Sequence, residues 1–337
     1  GIAADNNFYM TNHQDLIFVP EVELRDNQRM AEENPVRVEV ERAVAKVVVS
    51  GVPEVVPHGD RIDNLKWGLD VTNMYTYWMR KMTFIANSGG VPNEMEQLNA
   101  GYREERYAED PNFTRFSSWN GGNPVGQFEY LSGTPELSKN FDDYDYTLEN
   151  TMDAADQRHD VTTRVVISGT YTPNGFGSVA TRNGGGISFY YFKGNAIRVE
   201  AMRDMVNDRG QIPQELRDAG LEQAIENVLA WNPNAFNSPT ASFSEGGIHF
   251  YYQGVCYYTV LIRHFSNNMV PVLMGYGRYG VVRNNVYQLS INKIIGPGQP
   301  VINPPGTDPD DEDTSWISAD VNIMRWYIRN QNVEELL

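Results

Sequence analysis

Five histidines are the residues of this sequence most suited to metal binding or acid–base chemistry, and their spacing supports neither. No pair has the H-x-x-x-H or H-E-x-x-H spacing that places two imidazoles on one metal. His249 and His264 fall in predicted strands, where a histidine is usually a satisfied structural residue. We therefore predict no metal and no cofactor site at the five positions, which are His13, His58, His159, His249 and His264.

Other groups with chemical potential also lack a supporting pattern. Cys256 is the single cysteine and lies in the apolar run 254–262 without an acid or base beside it, so we predict a small buried hydrophobe. Gly175, Gly177 and the glycines at 184–186 lack the pattern and the following helix of a phosphate-binding loop, and we predict loop tips. Two acids separated along the chain could meet as in a glycosidase, but nothing selects a pair. We expect no enzyme.

The acidic run 308–313 resembles a calcium ligand set in composition but not in spacing. It lacks the alternating ligands, central glycine and distant glutamate of an EF-hand loop. Self-repelling charge and proline favour an extended, solvated linker. At ~3.1 Å per residue, residues 296–313 would reach up to about 55 Å, enough to cross to another molecule.

Composition narrows the class of protein. A net charge of -17 argues against a nucleic-acid or anionic-membrane partner, since both need clustered Lys and Arg. No apolar run approaches the ~20 residues of a membrane-spanning helix. Aromatic residues make up 12% of the chain, and Val, Thr and Tyr recur in short runs. Because these residues favour strands, we predict a mainly β protein.

Alternating patterns locate the strands. Val36, Val38 and Val40 alternate with charged residues, and after Arg42 the apolar phase shifts by one residue up to Val49, which predicts a bulge or a passage between sheets. Further strands are predicted over 62–73, 144–150, 161–171, 188–192, 197–202 and 281–295, with a hairpin formed by 247–253 and 254–265. One helix is predicted from Pro213 to Ala230, its apolar stripe facing the sheet. Together these elements predict a β-sandwich with inserted loops and one short helix.

The C-terminal strand divides into two parts. Ile317, Ala319, Val321 and Ile323 share one face, the pattern of a half-buried strand. After Ile323 the apolar positions move to the other face, beginning with Met324. We predict that residues 317–323 pair within the chain's own sandwich and that the part beyond is exported to a partner. The predicted interaction residues are Met324, Trp326, Ile328, Val333 and Leu336.

Four separated blocks resemble a known family. They are residues 38–49, residues 146–151 with 162–166, residues 281–287, and residues 323–326 (Ile-Met-Arg-Trp). Their order and spacing are similar to those of the fimbrillins of Bacteroidales type V pili, the FimA and Mfa type of major subunit. The resemblance implies transthyretin-like, Greek-key sandwich domains and a structural subunit without cofactor, located in a cell-surface fimbrium. It also implies export as an outer-membrane lipoprotein precursor and polymerisation by a C-terminal donor strand, with copies of the same or related subunits as partners.

The resemblance also suggests how the chain is divided. Residues 1–34 would be the last strands of an N-terminal domain with a connection, 35–295 the C-terminal sandwich, 296–313 a linker, and 314–337 the terminal strands with the donor segment. Only 34 residues precede Pro35 and no lipoprotein cysteine is present, so we expect the acceptor groove to be absent from this piece. The alternative function is a monomeric surface adhesin that binds a host protein or glycan through loop aromatics at 102–107 or 117–120.

Overall fold

The computed structural model describes residues 3–4, 7–12, 19–36, 38, 40–81, 109–113, 126–152, 156–177, 186–264, 278–310 and 317–325. Strands dominate this part of the chain, which confirms the predicted mainly β sandwich class. The strands, numbered in chain order, are β1 Ala3–Ala4, β2 Asn7–Phe8, β3 Met10–Asn12, β4 Val40–Arg42, β5 Val44–Ser50, β6 Glu54–Val56, β7 Arg61–Asp70, β8 Thr72–Asn73, β9 Phe128–Glu129, β10 Tyr144–Leu148, β11 Arg164–Thr172, β12 Phe189–Phe192, β13 Asn195–Arg198, β14 Phe243–Glu245, β15 Ile248–Tyr251, β16 Val255–Leu261, β17 Asn285–Ile295 and β18 Ile317–Arg325. The α-helices are α1 Gln28–Glu33, α2 Val199–Asn207, α3 Gln214–Asp218 and α4 Leu221–Trp231.

Two sheets form the main sandwich. The home sheet has the order β10-β5-β17-β18, with β6 also paired to β17, and the facing sheet has the order β16-β11-β7. Within the home sheet β5 runs parallel to β17, while β10 and β18 run antiparallel to their neighbours. One buried core draws side chains from both sheets, because each strand turns its alternate apolar residues inward. These include Ala45, Val47, Val49, Tyr287, Leu289 and Ile291 from the home sheet and Trp67, Val165, Ile167, Cys256 and Tyr258 from the facing sheet.

The predicted phase change near Arg42 marks a passage between sheets. β4 pairs with β3, whereas β5, which begins two residues later, pairs with β10 and β17. Ala43, between them, is fully buried and donates its backbone N–H to Tyr9 O at 3.0 Å. The shift in hydrophobic phase therefore corresponds to a real change of pairing partner.

A second layer is inserted between β11 and β16. An outer sheet of order β13-β12-β15-β14 packs against α2, α3 and α4, and the two enclose a separate apolar core that includes Phe192, Ile225 and Phe250. The helix predicted from Pro213 to Ala230 is observed as two shorter helices. It divides into α3 and α4 at Gly220, whose φ of 90° lies in the left-handed region that glycine favours. The strand predicted over 197–202 ends at Arg198, and helix α2 follows because Met202 and Met205 sit three residues apart on its buried face.

The hairpin predicted from 247 to 265 is also wrong. β15 belongs to the outer sheet and β16 to the facing sheet, so the two strands do not pair. The chain turns between them at Gln253 and Gly254, which both have positive φ. A Cβ on Gly254 would lie 2.6 Å from the Tyr171 carbonyl oxygen, so only glycine fits where the chain passes from one sheet to the other.

Candidate interaction site at the C-terminal strand

Strand β18 forms one edge of the home sheet. It pairs antiparallel with β17 from Ile294↔Ile317 to Asn285↔Arg325, with a register shift between Ile291 and Lys293. Within the described part of the chain this is the single strand paired to β18. An edge strand presents backbone N–H and C=O groups on its outer side, which is the geometry that accepts a further strand.

The two faces of β18 differ sharply in burial. Ile317 is 7% exposed, and Ala319, Val321 and Ile323 are partly buried and pack against the main core. The opposite face carries the exposed residues Ser318, Asp320, Asn322 and Met324, and Asp320 accepts a hydrogen bond from Asn292 Nδ2 at 2.8 Å. The strand is thus held at home by its odd-numbered side chains.

Of the predicted interaction residues, the structure places Met324 alone. Met324 pairs with Val286 in the home sheet and is 43% exposed on the outer face. Its position lies inside the home strand, which extends to Arg325, and its assignment to the donor segment stays a prediction. Trp326, Ile328, Val333 and Leu336 lie outside the described residues, as do the loop aromatics at 102–107 and 117–120 that would serve an adhesin.

The segment 296–310, here called the strap, does not extend into solvent as predicted. Gln299 exchanges two backbone hydrogen bonds with Tyr257 on β16, each 2.8 Å long, and Ile302 exchanges two with Gly133, of 2.9 and 2.7 Å. The hydroxyl of Tyr251 donates to Gly298 O at 2.6 Å. These bonds hold the strap to the body of the protein, so its length is not available for reaching a neighbour.

The acidic run is likewise partly docked. Asp310 is 3% exposed and its Oδ2 accepts a hydrogen bond from Thr162 Oγ1 at 2.5 Å, while Asp308 O accepts from His159 N at 3.1 Å. The prediction of a solvated linker is therefore wrong for Asp310, whereas Asp308 and Pro309 are exposed. The composition of the acidic run could not predict these contacts, because the residues that bond to it lie far away in the sequence.

A buried arginine lies where β17 begins and β18 ends. Arg283 and Glu149 are both fully buried, and Arg283 Nη2 lies 3.2 Å from Glu149 Oε1. The same Nη2 donates to Thr76 Oγ1 and to Tyr77 O, each at 3.0 Å. Because charged hydrogen bonds in a dry site are strong, Arg283 fixes the backbone of the loop 74–80 against the start of β17.

A second buried ion pair ties the other end of this loop. Arg80 Nη2 lies 2.8 Å from Glu41 Oε2, and the two side chains are 6% and 0% exposed. Arg80 Nη2 also donates to Arg283 O at 3.3 Å. We call residues 74–80 the aromatic loop because it exposes two aromatic side chains, Tyr75 (49% exposed) and Trp78 (74% exposed). The contacts that hold the loop to the interior of the protein are polar.

Two histidines and the cysteine, which the sequence analysis interpreted as structural residues, pack against other protein groups. His249 Nδ1 is 2.8 Å from Ser244 Oγ, and burial lowers the pKa of His249, which favours the neutral ring. His264 Nδ1 is 2.6 Å from Tyr287 Oη inside the fold. Cys256 is fully buried, and burial raises the pKa of its thiol to about 12.

The described residues contain neither a metal-type cluster nor a membrane-type helix. No group of three or more His, Cys, Asp and Glu side chains is arranged there to hold a metal ion. Within the same described ranges, each helix is too short or too polar to cross a bilayer.

Fold and edge strand together define a β-sandwich protein with an inserted helical layer and a C-terminal strand at a sheet edge. Residues 249–332 match the family model described as major fimbrial subunit protein type IV, fimbrillin, C-terminal. This match spans β15 to β18 and confirms the resemblance to the fimbrillins seen in the sequence. A search of curated proteins gives no significant match.

Solved structures with detectable similarity are distant. A fimbrilin (FimA) of Porphyromonas gingivalis is 14% identical, with a TM-score of 0.36, and the alignment covers 87% of this chain and 61% of that one. Two candidate cell adhesion proteins of Parabacteroides distasonis are 14% and 11% identical, with TM-scores of 0.30 and 0.32 and coverage of 86% of this chain. This chain spans 53% and 60% of the length of those two proteins. At such scores the likenesses carry no argument about geometry or function.

Proposed function

We propose that this protein is a structural subunit of a cell-surface fimbria that inserts the chain beyond β18 into a neighbouring subunit. The observation that carries the proposal is the outward position of Met324 at the end of an edge strand whose other face is buried. The match of residues 249–332 to the fimbrillin family supports the same function.

The pattern around Met324 explains why the following residues need a partner. Up to Ile323 the apolar side chains occupy the face that packs on the home core. From Met324 the apolar residues occupy the other face, and in the sequence they continue at the alternate positions Trp326 and Ile328. Because successive strand residues point to opposite sides, an extension of β18 would direct these side chains away from the home core. Exposing these apolar side chains to water is unfavourable, and burial by another molecule would remove that cost.

The size of the effect suits a stable junction. Five side chains, Met324 near the end of β18 and Trp326, Ile328, Val333 and Leu336 beyond it, would each contribute ~1.5 to ~3 kcal/mol if the neighbour buried them fully, or roughly 8 to roughly 15 kcal/mol before ordering costs. Backbone hydrogen bonds to the acceptor sheet would fix the register of the inserted strand. The partners are copies of the same or related subunits, and the location is a fimbrium at the outer membrane, reached as a lipoprotein precursor.

Assembly in the cells that make this protein tests the proposal. Trp326→Asp, which puts a charge in the inserted segment, should abolish the ladder of subunit multimers on unheated SDS gels of sheared fimbriae. Ser318→Asp puts the same charge on an exposed position of the outer face of β18, eight residues earlier, and should leave the ladder intact. A normal ladder from Trp326→Asp, or from a chain that lacks residues 326–337, would refute donor-strand insertion.

A further inference from the structure

We propose that the aromatic loop, together with Tyr9, is a rigid docking surface for the body of the acceptor subunit, a second copy of this protein. The inference rests on the proposed function, because it concerns the surface beside the point where the inserted segment leaves the fold. It adds a contact made by the folded domain itself, distinct from the inserted strand.

The aromatic loop lies next to the end of β18. β18 ends at Arg325, opposite Asn285 at the start of β17. Arg283, two residues before Asn285, bonds to Thr76 and Tyr77 of the aromatic loop. The loop therefore lies beside the end of the home strand, at the same pole of the sandwich.

Little chain separates β18 from the segment proposed to be inserted. In the sequence Trp326 directly follows Arg325, the last described residue of β18, so the segment proposed to be inserted begins beside the paired strand. Consecutive Cα atoms are about 3.8 Å apart, which limits the distance between Arg325 and an acceptor that binds Trp326. An acceptor that takes up Trp326 must contact the surface around Arg325.

The surface has the composition of an interface centre. Met74, Tyr75, Trp78 and Met79 are 43% to 74% exposed, and the Trp78 ring packs edge-to-face on Tyr9 with centroids 4.9 Å apart. Trp and Tyr dominate the residues that contribute most to protein interfaces, and exposed apolar patches mark binding sites. Residues 74–79 also carry no charge, in a chain with a net charge of -17. Two such chains repel each other least where an uncharged surface meets the partner.

The aromatic loop is anchored by buried ion pairs. The buried pairs Arg283–Glu149 and Arg80–Glu41 fix the loop backbone on its interior side. The backbone would therefore lose little conformational entropy when a partner covers the exposed rings. The arrangement is that of a preorganised contact surface.

The test compares two exposed tryptophans. Trp78→Ser should lower the yield of assembled fimbriae about tenfold or more, as truncation of an interface tryptophan does. Trp231→Ser, at a 54% exposed tryptophan at the end of α4, is the matched control and should leave the yield unchanged. Tyr75→Ser provides a second loop variant, and the urea midpoint of each purified subunit shows whether it is folded. Equal yields for folded Trp78→Ser, Tyr75→Ser and Trp231→Ser would overturn the inference.

A cross-linking experiment identifies the occupant. The native Cys256 is fully buried, so a benzophenone maleimide would label an introduced cysteine selectively. In assembled fimbriae, labelled Tyr75→Cys should give a cross-link to a second copy of the protein, whereas Trp231→Cys should not. A cross-link within the same subunit, or to a different protein, would overturn the inference. Fimbriae that assemble without residues 326–337 would instead refute the proposed function, so the two failures are distinguishable.

Discussion

Two adjacent residues of β18, Ile323 and Met324, provide a matched pair for testing whether one face of the C-terminal strand stabilises the fold and the other binds a partner. Ile323 packs on the main core and Met324 is 43% exposed on the outer face, although both pair with β17. Ile323→Asp and Met324→Asp introduce the same carboxylate one position apart. The intrinsic cost of aspartate in a strand, up to about 1 kcal/mol, is common to both.

The expected difference follows from burial. A fully buried isoleucine contributes ~1.5 to ~3 kcal/mol, so a partly buried Ile323 contributes roughly half of that. Partial burial of the new carboxylate adds about 1 to about 3 kcal/mol. Ile323→Asp should therefore lower the free energy of unfolding by about 2 to about 4 kcal/mol more than Met324→Asp does. Met324→Asp should instead reduce fimbrial assembly while the subunit remains folded.

Urea unfolding of the purified subunits, followed by tryptophan fluorescence, measures the first effect through the midpoint and slope. Unheated SDS gels of fimbriae measure the second. Equal destabilisation by both variants would show that Met324 is also held by the home fold, and the assignment of faces to core and partner would then be refuted.

Three further predictions concern the parts of the fold that hold this strand and its surroundings. Arg283→Met should lower the free energy of unfolding by about 3 to about 5 kcal/mol in urea, because it leaves Glu149 buried without its ion-pair partner. The double variant Arg283→Met/Glu149→Gln should recover much of that loss. A loss below about 1 kcal/mol for the single variant would contradict the buried pair. Gly220→Ala should cost about 1 to about 2 kcal/mol in the same assay, because φ is 90° and no atom lies within 4 Å of the added Cβ, so backbone strain acts alone; an unchanged midpoint would contradict this. Burial raises the pKa of Asp110 to about 8, so between about pH 4 and about pH 8 the folded state binds more protons than the unfolded state. The free energy of unfolding should therefore contain a component that falls as pH rises through this window. Asp110→Asn, although less stable, should lack that component in urea unfolding at several pH values, and an unchanged pH dependence would contradict the assignment.

Local periodicity was enough to locate much of the main sandwich. The shift of apolar phase near Arg42 and the alternation from Ile317 to Ile323 depend on neighbouring residues alone, and both correspond to observed strands. The change to an apolar side chain on the exposed face at Met324 was predictable for the same reason. These features are set by the two-residue repeat of a strand against one core.

Short apolar segments and long-range contacts were not predictable in this way. Residues 197–202 are too short to separate a strand from a helix by periodicity alone, although Met202, Met205 and Val206 further on have helical spacing. Contacts between distant parts of the chain leave no local pattern. The bond from Thr162 to Asp310 spans 148 residues, and Arg283 bonds to Thr76 across 207 residues. The docked strap and the anchored aromatic loop therefore required the structure.

The location of residues 326–337 in an assembled fimbria tests the central claim most directly. In a cryo-electron microscopy map of native fimbriae, we predict continuous density that leaves β18 after Arg325 and enters a sheet of the adjacent subunit, with Trp326 and Ile328 buried there. Density that places the same residues on their own subunit, with no strand passing between neighbours, would contradict the account.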